Sequence, residues 1–258
     1  MKNNDLVSVI MPSYNSEAYI KISIESVLNQ TYQNLELVIV DDCSNDKTVE
    51  IIKSFKDPRI RLFVNEKNSG AAISRNKALR EAKGKWIAFL DSDDEWMTNK
   101  LEEQINFMET NSYPFSYTDY LRYEGNNKKR LITAPNKMTF RKIKRYCYIA
   151  TLTVMYNSEK IGLIQIGDIK KNNDYAMWLK ALKNVTGYRL KKCLSIYNRH
   201  AGSISSGSKL KLIKWHYYLF RNECRYSKLR SLFLTLGNLW YGFCKQIIFS
   251  RKYKDEGH

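Results

Sequence analysis

Trp86-Ile87-Ala88-Phe89-Leu90-Asp91-Ser92-Asp93-Asp94-Glu95-Trp96 changes character at its midpoint. Five apolar residues, short enough for a buried strand, run straight into Asp91, Asp93, Asp94 and Glu95. Carboxylates crowded at one strand end repel and raise one another's pKa, so the cluster is costly unless a cation or hydrogen-bond donors lie among them. Hard oxygen ligands suit Mg²⁺ or Mn²⁺, and Mg²⁺ is usually held by one or two carboxylates together with substrate phosphates. The stretch therefore predicts a metal and diphosphate site. The plain alternative is a solvated acidic turn capping a helix over residues 98–110.

Upstream, the chain alternates strand and helix. Residues 7–11 predict a first strand, ended by Pro12, which has no N–H to give a ladder. Ser16 is placed to cap a helix carrying Ile20, Ile24, Val27 and Leu28. Residues 35–40 predict a second strand, followed by Asp41-Asp42 and a helix with Ile51, Ile52 and Phe55; Asp57-Pro58 stops that helix, and residues 60–64 are a third strand. A polar turn over residues 65–70 leads to a helix for which Gly84 is the C-terminal cap, and residues 86–90 are the fourth strand. Repeated βα units with buried strands imply an α/β fold, a mostly parallel sheet with helices on both faces. Such sheets bind ligands beyond the carboxyl ends of their strands, where three polar clusters fall here: Pro12-Ser13-Tyr14-Asn15, Asp41-Asp42, and Asp91 to Asp94. No GxGxxG follows the first strand and no GxxxxGK[ST] occurs, which disfavours a dinucleotide fold and a P-loop NTPase.

The 258 residues, 43% hydrophobic, can bury a core as one large domain or as a domain with an appendage. Cys43, Cys147, Cys193, Cys224 and Cys244 form no CxxC pair, which argues against a zinc site or a disulfide framework and for a reducing cytoplasm. The N-terminal residues lack the basic, apolar and small-residue order of an export signal. A net charge of +17 gathers at Lys128-Lys129-Arg130 with Arg141, Lys142, Lys144 and Arg145, and again from Lys209 onward. Nucleic acid, an anionic membrane face or an anionic substrate would each answer it. A nucleic-acid binder gives no reason for acids at three strand ends, so nucleic acid is not the expected partner.

SVIMPSYN, VIVDDCSNDKT, NSGAAISRNKAL and FLDSDDEW, in this order and spacing, resemble the family 2 inverting glycosyltransferases of GT-A fold, from about residue 7 to residue 206. With the later TLTVMY and SISS, the motifs are similar to bacterial transferases of teichuronic acid, capsule and lipopolysaccharide assembly. The resemblance implies a GT-A domain over residues 1–206, with a nucleotide-sugar-binding half (1–97) and an acceptor-binding half (98–206). It implies that Pro12 and Tyr14 lie against the uracil and ribose, that Asp42 accepts from the uracil N3–H, that Asn68 shapes the donor pocket and that Arg75 contacts the diphosphate. Asp93 would hold Mn²⁺ or Mg²⁺, and Asp91 would orient the donor sugar or ribose.

Asp174 opens a helix patterned by Tyr175, Leu179 and Leu182, where the helix dipole favours the ionised carboxylate. In similar transferases a Glu-Asp pair stands here and the aspartate deprotonates the acceptor hydroxyl. This chain has Asn173 in the glutamate's place, which puts the glutamate's part in acceptor positioning in doubt. The family pattern Y-R-x-H-x-G-S-I-S matches at His200 and Ser203, with Asn198 where the arginine stands; His200 would reach the metal or diphosphate once its loop orders. Each of these has a bland counterpart: core packing for Tyr14, a solvated helix face for Arg75, a helix cap for Asp174, a structural role for His200.

Residues 207–258 form a basic tail in which Leu232, Leu236, Leu239, Trp240, Phe243 and Ile247 make a helical stripe. Lys245 and Gln246 interrupt the apolar span a bilayer crossing needs. An amphipathic helix in the cytoplasmic membrane interface fits better, with a helix packed on the domain or in an oligomer as the alternative. The expected protein is thus a metal-dependent inverting hexosyl- or N-acetylhexosaminyltransferase, peripheral to the inner face of the cell membrane. It would move a sugar from a UDP-sugar to a glycan acceptor, itself polyprenyl-diphosphate-linked. The competing readings are a sugar nucleotidylyltransferase, whose glycine-rich basic loop is missing after the first strand, and an inactive UDP-binding scaffold, suggested by Asn173 alone.

Overall fold

The computed structural model describes residues 4–123, 129–198 and 209–253. Strands β1 (Val7–Ser13), β2 (Leu35–Asp41), β3 (Ile60–Val64) and β4 (Trp86–Phe89) are parallel, in the spatial order β3-β2-β1-β4. Helices α1 (Ile20–Leu28), α2 (Thr48–Ser54), α3 (Ala71–Glu81) and α4 (Lys100–Thr110) connect or follow them, with the short β5 (Glu95–Trp96) before α4. Past β4 the sheet changes sense. β6 (Phe115–Tyr123), β7 (Lys129–Ile132) and β9 (Met155–Asn157) extend it antiparallel, in the order β4-β9-β6-β7. β10 (Gly187–Asn198) lies parallel to β6 and antiparallel to β5 and to β8 (Lys137–Met138). The three-residue β9 is too short to carry an alternating pattern, so sequence periodicity did not mark it.

Alternation along the central strands feeds a core on each face. Val7, Val9, Met11, Leu37 and Ile39 meet Ile20, Ile24 and Val27 of α1 and Leu101, Ile105 and Met108 of α4. Ile10, Val38, Val40 and Phe89 meet α3 and Tyr175, Met177 and Trp178 of α7 (Asn173–Ala181) on the other face. The Trp178 ring stands edge-on to Phe89 at 5.1 Å and to Phe115 at 5.7 Å, which fixes α7 over the sheet beside β4.

Three local expectations change. β1 continues through Pro12 to Ser13: its pairing with β4 stops at Ile10 opposite Phe89, so the nitrogen of Pro12 faces a side where no ladder partner remains. Ser16 starts α1 with its carbonyl, which accepts from Tyr19 N and Ile20 N at 2.9 Å, while its hydroxyl lies 2.7 Å from Ser92 Oγ and ties the loop after β1 to the acidic turn. Gly84 is not a cap. α3 ends at Glu81 with Ala82 extended, and a Cβ on Gly84 would lie 2.5 Å from Ser8 N and 2.7 Å from Leu6 O, so the glycine permits a close backbone approach to the start of β1.

α5 (Phe140–Arg145) and α6 (Ser158–Ile161) follow β8 and β9; the final segment holds α8 (Lys209–Tyr218), a π-helical turn Leu219–Glu223, α9 (Lys228–Ile248) and β11 (Ser250–Lys252). Leu219 and Phe220 are fully buried in the α7-side core, and β11 adds antiparallel to β7. α9 has inverted polarity. Ser231, Thr235 and Asn238 are its buried residues, whereas Leu229, Leu232, Phe233, Leu236, Trp240, Phe243 and Ile247 are exposed. Among the described residues no helix is long and apolar enough to cross a membrane.

Candidate active site

The carboxyl ends of β1, β2 and β4 converge on one rim. At the end of β2, Asp41 is fully buried and accepts from Ser13 Oγ (2.9 Å), Ser44 N (2.8 Å) and Ser44 Oγ (2.6 Å), so it shapes the turn and stitches it to β1. Asp42, also buried, accepts from Asn65 Nδ2 at 2.9 Å and from the backbone amides of Ser69 and Gly70 at 2.9 and 2.6 Å. It thereby pins the loop that carries Asn68, itself exposed, to the same rim. Gly70, at φ 89°, turns that loop into α3, a conformation that favours glycine. Pro12 is buried, while the Tyr14 ring is 45% exposed beside it, an open aromatic surface able to lie against a base.

Around β4 the acids are arranged unequally. Asp94 is 1% exposed, and burial, followed by the neighbouring charges of Asp93 and Asp91, pushes its carboxyl well above the ordinary range. Asn198, at the end of β10, donates its backbone N–H to Asp94 Oδ1 at 3.2 Å and its amide to Asp93 O (3.1 Å) and Glu95 Oε1 (2.8 Å). The residue standing in the family's arginine position thus binds the acidic turn and delivers the chain toward His200, which lies outside the described residues. Arg75 is 5% exposed, and its terminal nitrogens donate to Asp91 Oδ1 and to Asn173 Oδ1. It spans from the end of β4 to the first turn of α7. Its Nε, buried, has no partner among the described residues.

Among the described residues no three His, Cys, Asp or Glu side chains form a ready-made metal cage. The donor set nevertheless fits a hard divalent cation. Carboxylates concentrate at one strand end, and the charges of Asp93 and Asp91 add to burial in raising the pKa of Asp94. A Mg²⁺-type ion needs only one or two of these oxygens when diphosphate and water complete its shell.

Asp174 sits in the first turn of α7, its Oδ1 accepting from Tyr175 N at 2.7 Å. Burial raises its pKa above 3.8, with Arg75 as the strongest opposing influence. The wall around it contains groups that motif reading did not single out. Tyr146 and Cys147 follow α5 and feel the charge of Asp174; burial holds each of them up at about 12. Lys245 of α9 lies within electrostatic range of Asp174, Cys147 and Arg122. No signal in the linear sequence links residues 122, 146, 174 and 245, because α9 reaches the site only through tertiary packing.

Residues 8–158 match the family model described as Glycosyl transferase family 2. The chain is a family 2 glycosyltransferase. This family 2 glycosyltransferase is 42% identical over 221 residues to TuaG of Bacillus subtilis (strain 168), a protein named for teichuronic acid biosynthesis, across 84% of the chain and 87% of the relative. It is 43% identical over 211 residues to WfgD of Escherichia coli, a UDP-Glc:alpha-D-GlcNAc-diphosphoundecaprenol beta-1,3-glucosyltransferase, across 81% of the chain and 83% of the relative. Residues 1–349 of S. aureus TarS, solved with UDP-GlcNAc, superpose with a TM-score of 0.71 at 22% identity, covering 92% of this glycosyltransferase and 72% of TarS. That likeness bears on architecture alone and is the GT-A fold expected from the four motifs. Glycosyl transfer replaces the nucleotidylyltransferase reading.

Proposed function

We propose that the enzyme transfers a sugar from a UDP-sugar, with inversion, to a hydroxyl of a glycan acceptor carried on a polyprenyl diphosphate, in assembly of a bacterial surface polysaccharide at the cytoplasmic face of the membrane. The observation that carries this reading is the Asp91-Arg75-Asn173 bridge, which holds the acidic donor rim and the helix bearing Asp174 in one rigid frame. The WfgD name, with its UDP-Glc donor and diphosphoundecaprenol acceptor, and TarS bound to UDP-GlcNAc support the choice of substrates.

On this reading Tyr14 and Pro12 receive the uracil and ribose. Asp42 holds the donor loop and offers the acceptor oxygen that selects uracil. Asp174 takes the proton of the acceptor hydroxyl; Oδ1 is occupied by Tyr175 N, which leaves Oδ2 for the proton. The hydroxyl attacks the anomeric carbon from the face opposite the leaving UDP, so one displacement inverts the configuration. Asp93 would hold Mn²⁺ or Mg²⁺ against the diphosphate, and such an ion supplies charge neutralisation on the leaving group. Arg75 positions Asp91 and Asn173, and its charge favours the ionised base.

Thermal melting with UDP, GDP and NADH, each with and without Mn²⁺, tests the donor site. UDP with Mn²⁺ at about 100 times its Kd should add about 2.7 kcal/mol, which is roughly 5–10 °C for a chain of this size. GDP and NADH should not reproduce the shift, and Asp93→Asn should lose its Mn²⁺-dependent part. Absence of any UDP shift sinks the uridine-donor reading.

The exposed face of α9 is assigned to the membrane interface. An apolar stripe recurring every three to four residues, with Lys228 and Arg230 exposed at its start, Arg251 and Lys252 exposed just beyond its end, and no acid within the helix, matches an in-plane helix on anionic lipid. Sedimentation with vesicles of anionic phosphatidylglycerol should exceed that with neutral phosphatidylcholine, and a Trp240→Ser, Phe243→Ser double variant should bind at least about tenfold more weakly, since each buried ring contributes about 1.5–3 kcal/mol. Unchanged vesicle binding in that variant, or concentration-dependent dimers that occupy the face, would overturn the assignment.

A further inference from the structure

Arg75 settles which way the amide of Asn173 is turned. A guanidinium carries donors only, so the atom it meets must be an oxygen, and Arg75 donates to Asn173 Oδ1. The same guanidinium donates to Asp91 Oδ1 and is buried, so the grip on the amide is held from both ends. With Oδ1 taken, Nδ2 is the branch of the amide that diverges from Arg75. It has no partner among the described residues and, unlike Nδ2 of Asn172 beside it, it is not sealed in the interior. Two N–H donors therefore stand open at the first residue of α7, next to Asp174.

The chemistry of the neighbours narrows what these donors meet. Asp91 and Asp174, when ionised, offer oxygens alone, so they can hold a sugar hydroxyl through its proton. An N–H pair instead suits a group that has lone pairs and no proton to give. On a sugar such groups are the carbonyl of an acetamido substituent and the carboxylate of an acidic one. A carboxylate would be brought against the charges of the two aspartates and repelled. The neutral carbonyl remains.

We infer that Asn173 determines acceptor specificity: its Nδ2 donates to the carbonyl oxygen of an acetamido group on the acceptor sugar, beside the hydroxyl that Asp174 deprotonates. The inference rests on the base and the acceptor hydroxyl proposed above. An acid at position 173 can bind Arg75 equally well but has no N–H to give. Asparagine in this place thus changes what the site reads and keeps the frame that holds the base.

The full-length enzyme and its Asn173→Asp and Asn173→Ala variants decide it on a pair of acceptors, prenyl-diphosphate N-acetylglucosamine and prenyl-diphosphate glucose, which differ only by acetamido against hydroxyl. Wild type should prefer the acetamido acceptor by about tenfold in kcat/KM, the scale of one hydrogen bond whose loss leaves a buried carbonyl unpaired. Asn173→Asp keeps an oxygen for Arg75 and removes the donors, and Asn173→Ala removes them without adding charge; in both, the preference should fall to about twofold or less. KM for the UDP-sugar should be unchanged in Asn173→Asp. Altered folding or altered basicity of Asp174 slows both acceptors alike and leaves their ratio where it was. A wild type without the preference, variants that retain it, or a raised UDP-sugar KM in Asn173→Asp would overturn the assignment. Should no UDP-sugar be consumed, the ratio of the two acceptors' Kd values from calorimetric titration takes the place of kcat/KM, with the same outcomes deciding. Alkyl N-acetylglucosaminide and alkyl glucoside repeat the comparison without diphosphate. The Asn173-dependent preference on this pair, with neither prenyl diphosphate used, would count against the lipid carrier and not against Asn173; no preference on either pair ends the inference.

Discussion

Asp174→Asn is expected to lower kcat by about 10³-fold, within the range for losing a positioned base, and to leave the Kd of UDP nearly unchanged. The same substitution should raise thermal stability at pH 7. Burial lifts the folded-state pKa of Asp174 above its usual 3.8, so the folded protein holds this proton more tightly than the unfolded chain does. Its stabilising contribution is complete below about pH 4 and is lost as pH rises through the folded value; at neutral pH the ionised group is a cost that asparagine removes. The advantage of the variant should therefore shrink as the melts are repeated toward pH 4. The acidic limb of kcat/KM should likewise fall at a pH above the ordinary aspartate range. Retention of kcat within a few-fold in Asp174→Asn would end the assignment of this residue as the base, whatever the melts show.

Removal of residues 207–258 should abolish cooperative folding. We propose that the final segment and residues 1–206 form one folding unit, because Leu219 and Phe220 lie fully buried in the core beneath α7, Asn238 holds Tyr175, and β11 completes the sheet beside β7. Two such apolar side chains contribute roughly 3–6 kcal/mol by area alone, against a typical net stability of 5–15 kcal/mol. The truncated chain should show no cooperative melt, while a Leu229→Ser, Phe233→Ser variant on the exposed side of α9 should melt within a few degrees of wild type. A truncated chain that melts cooperatively at the wild-type temperature would make the tail an independent appendage.

The run from β1 to β4 was legible because its information is local. An apolar run of five followed by acids, or Asp41-Asp42 after Leu35 to Val40, writes both the strand and the chemistry at its end into adjacent residues, and β3 spans residues 60–64 as the pattern indicated. The rest was less so. Short antiparallel strands such as β9 and β11 have no period to display, and Pro12 reads as a stop until the end of β4 beside it is known. Motif spacing singled out Asp91, Asp93, Asp174 and Arg75 as candidates but not their relations. That Arg75 joins Asp91 to Asn173 depends on α3 and α7 meeting across 98 residues of chain. The tail showed an apolar stripe in the sequence, yet which side would face the protein was decided by Asn238 finding Tyr175 and by Gly242 admitting the Tyr146 ring.

β10 lies parallel to β6, with Tyr188 opposite Ser116 and Asn198 opposite Tyr123, and the buried Asp119–Arg189 pair closes a span of 70 residues. Ends so distant must be brought together before any pairing rewards them, which makes this a slow step in assembly. Among the described residues β5 and β8 pair, as strands, with β10 alone, so their ladder hydrogen bonds form only when it arrives. Asn198 rides on the same strand, so the acidic turn gains its hydrogen bonds late in the sequence of events. The rim at the carboxyl ends of the strands is therefore among the last parts of the molecule to mature. On dilution from denaturant, helical signal should return first, and the ability to hold a nucleotide should follow after a lag set by this one strand.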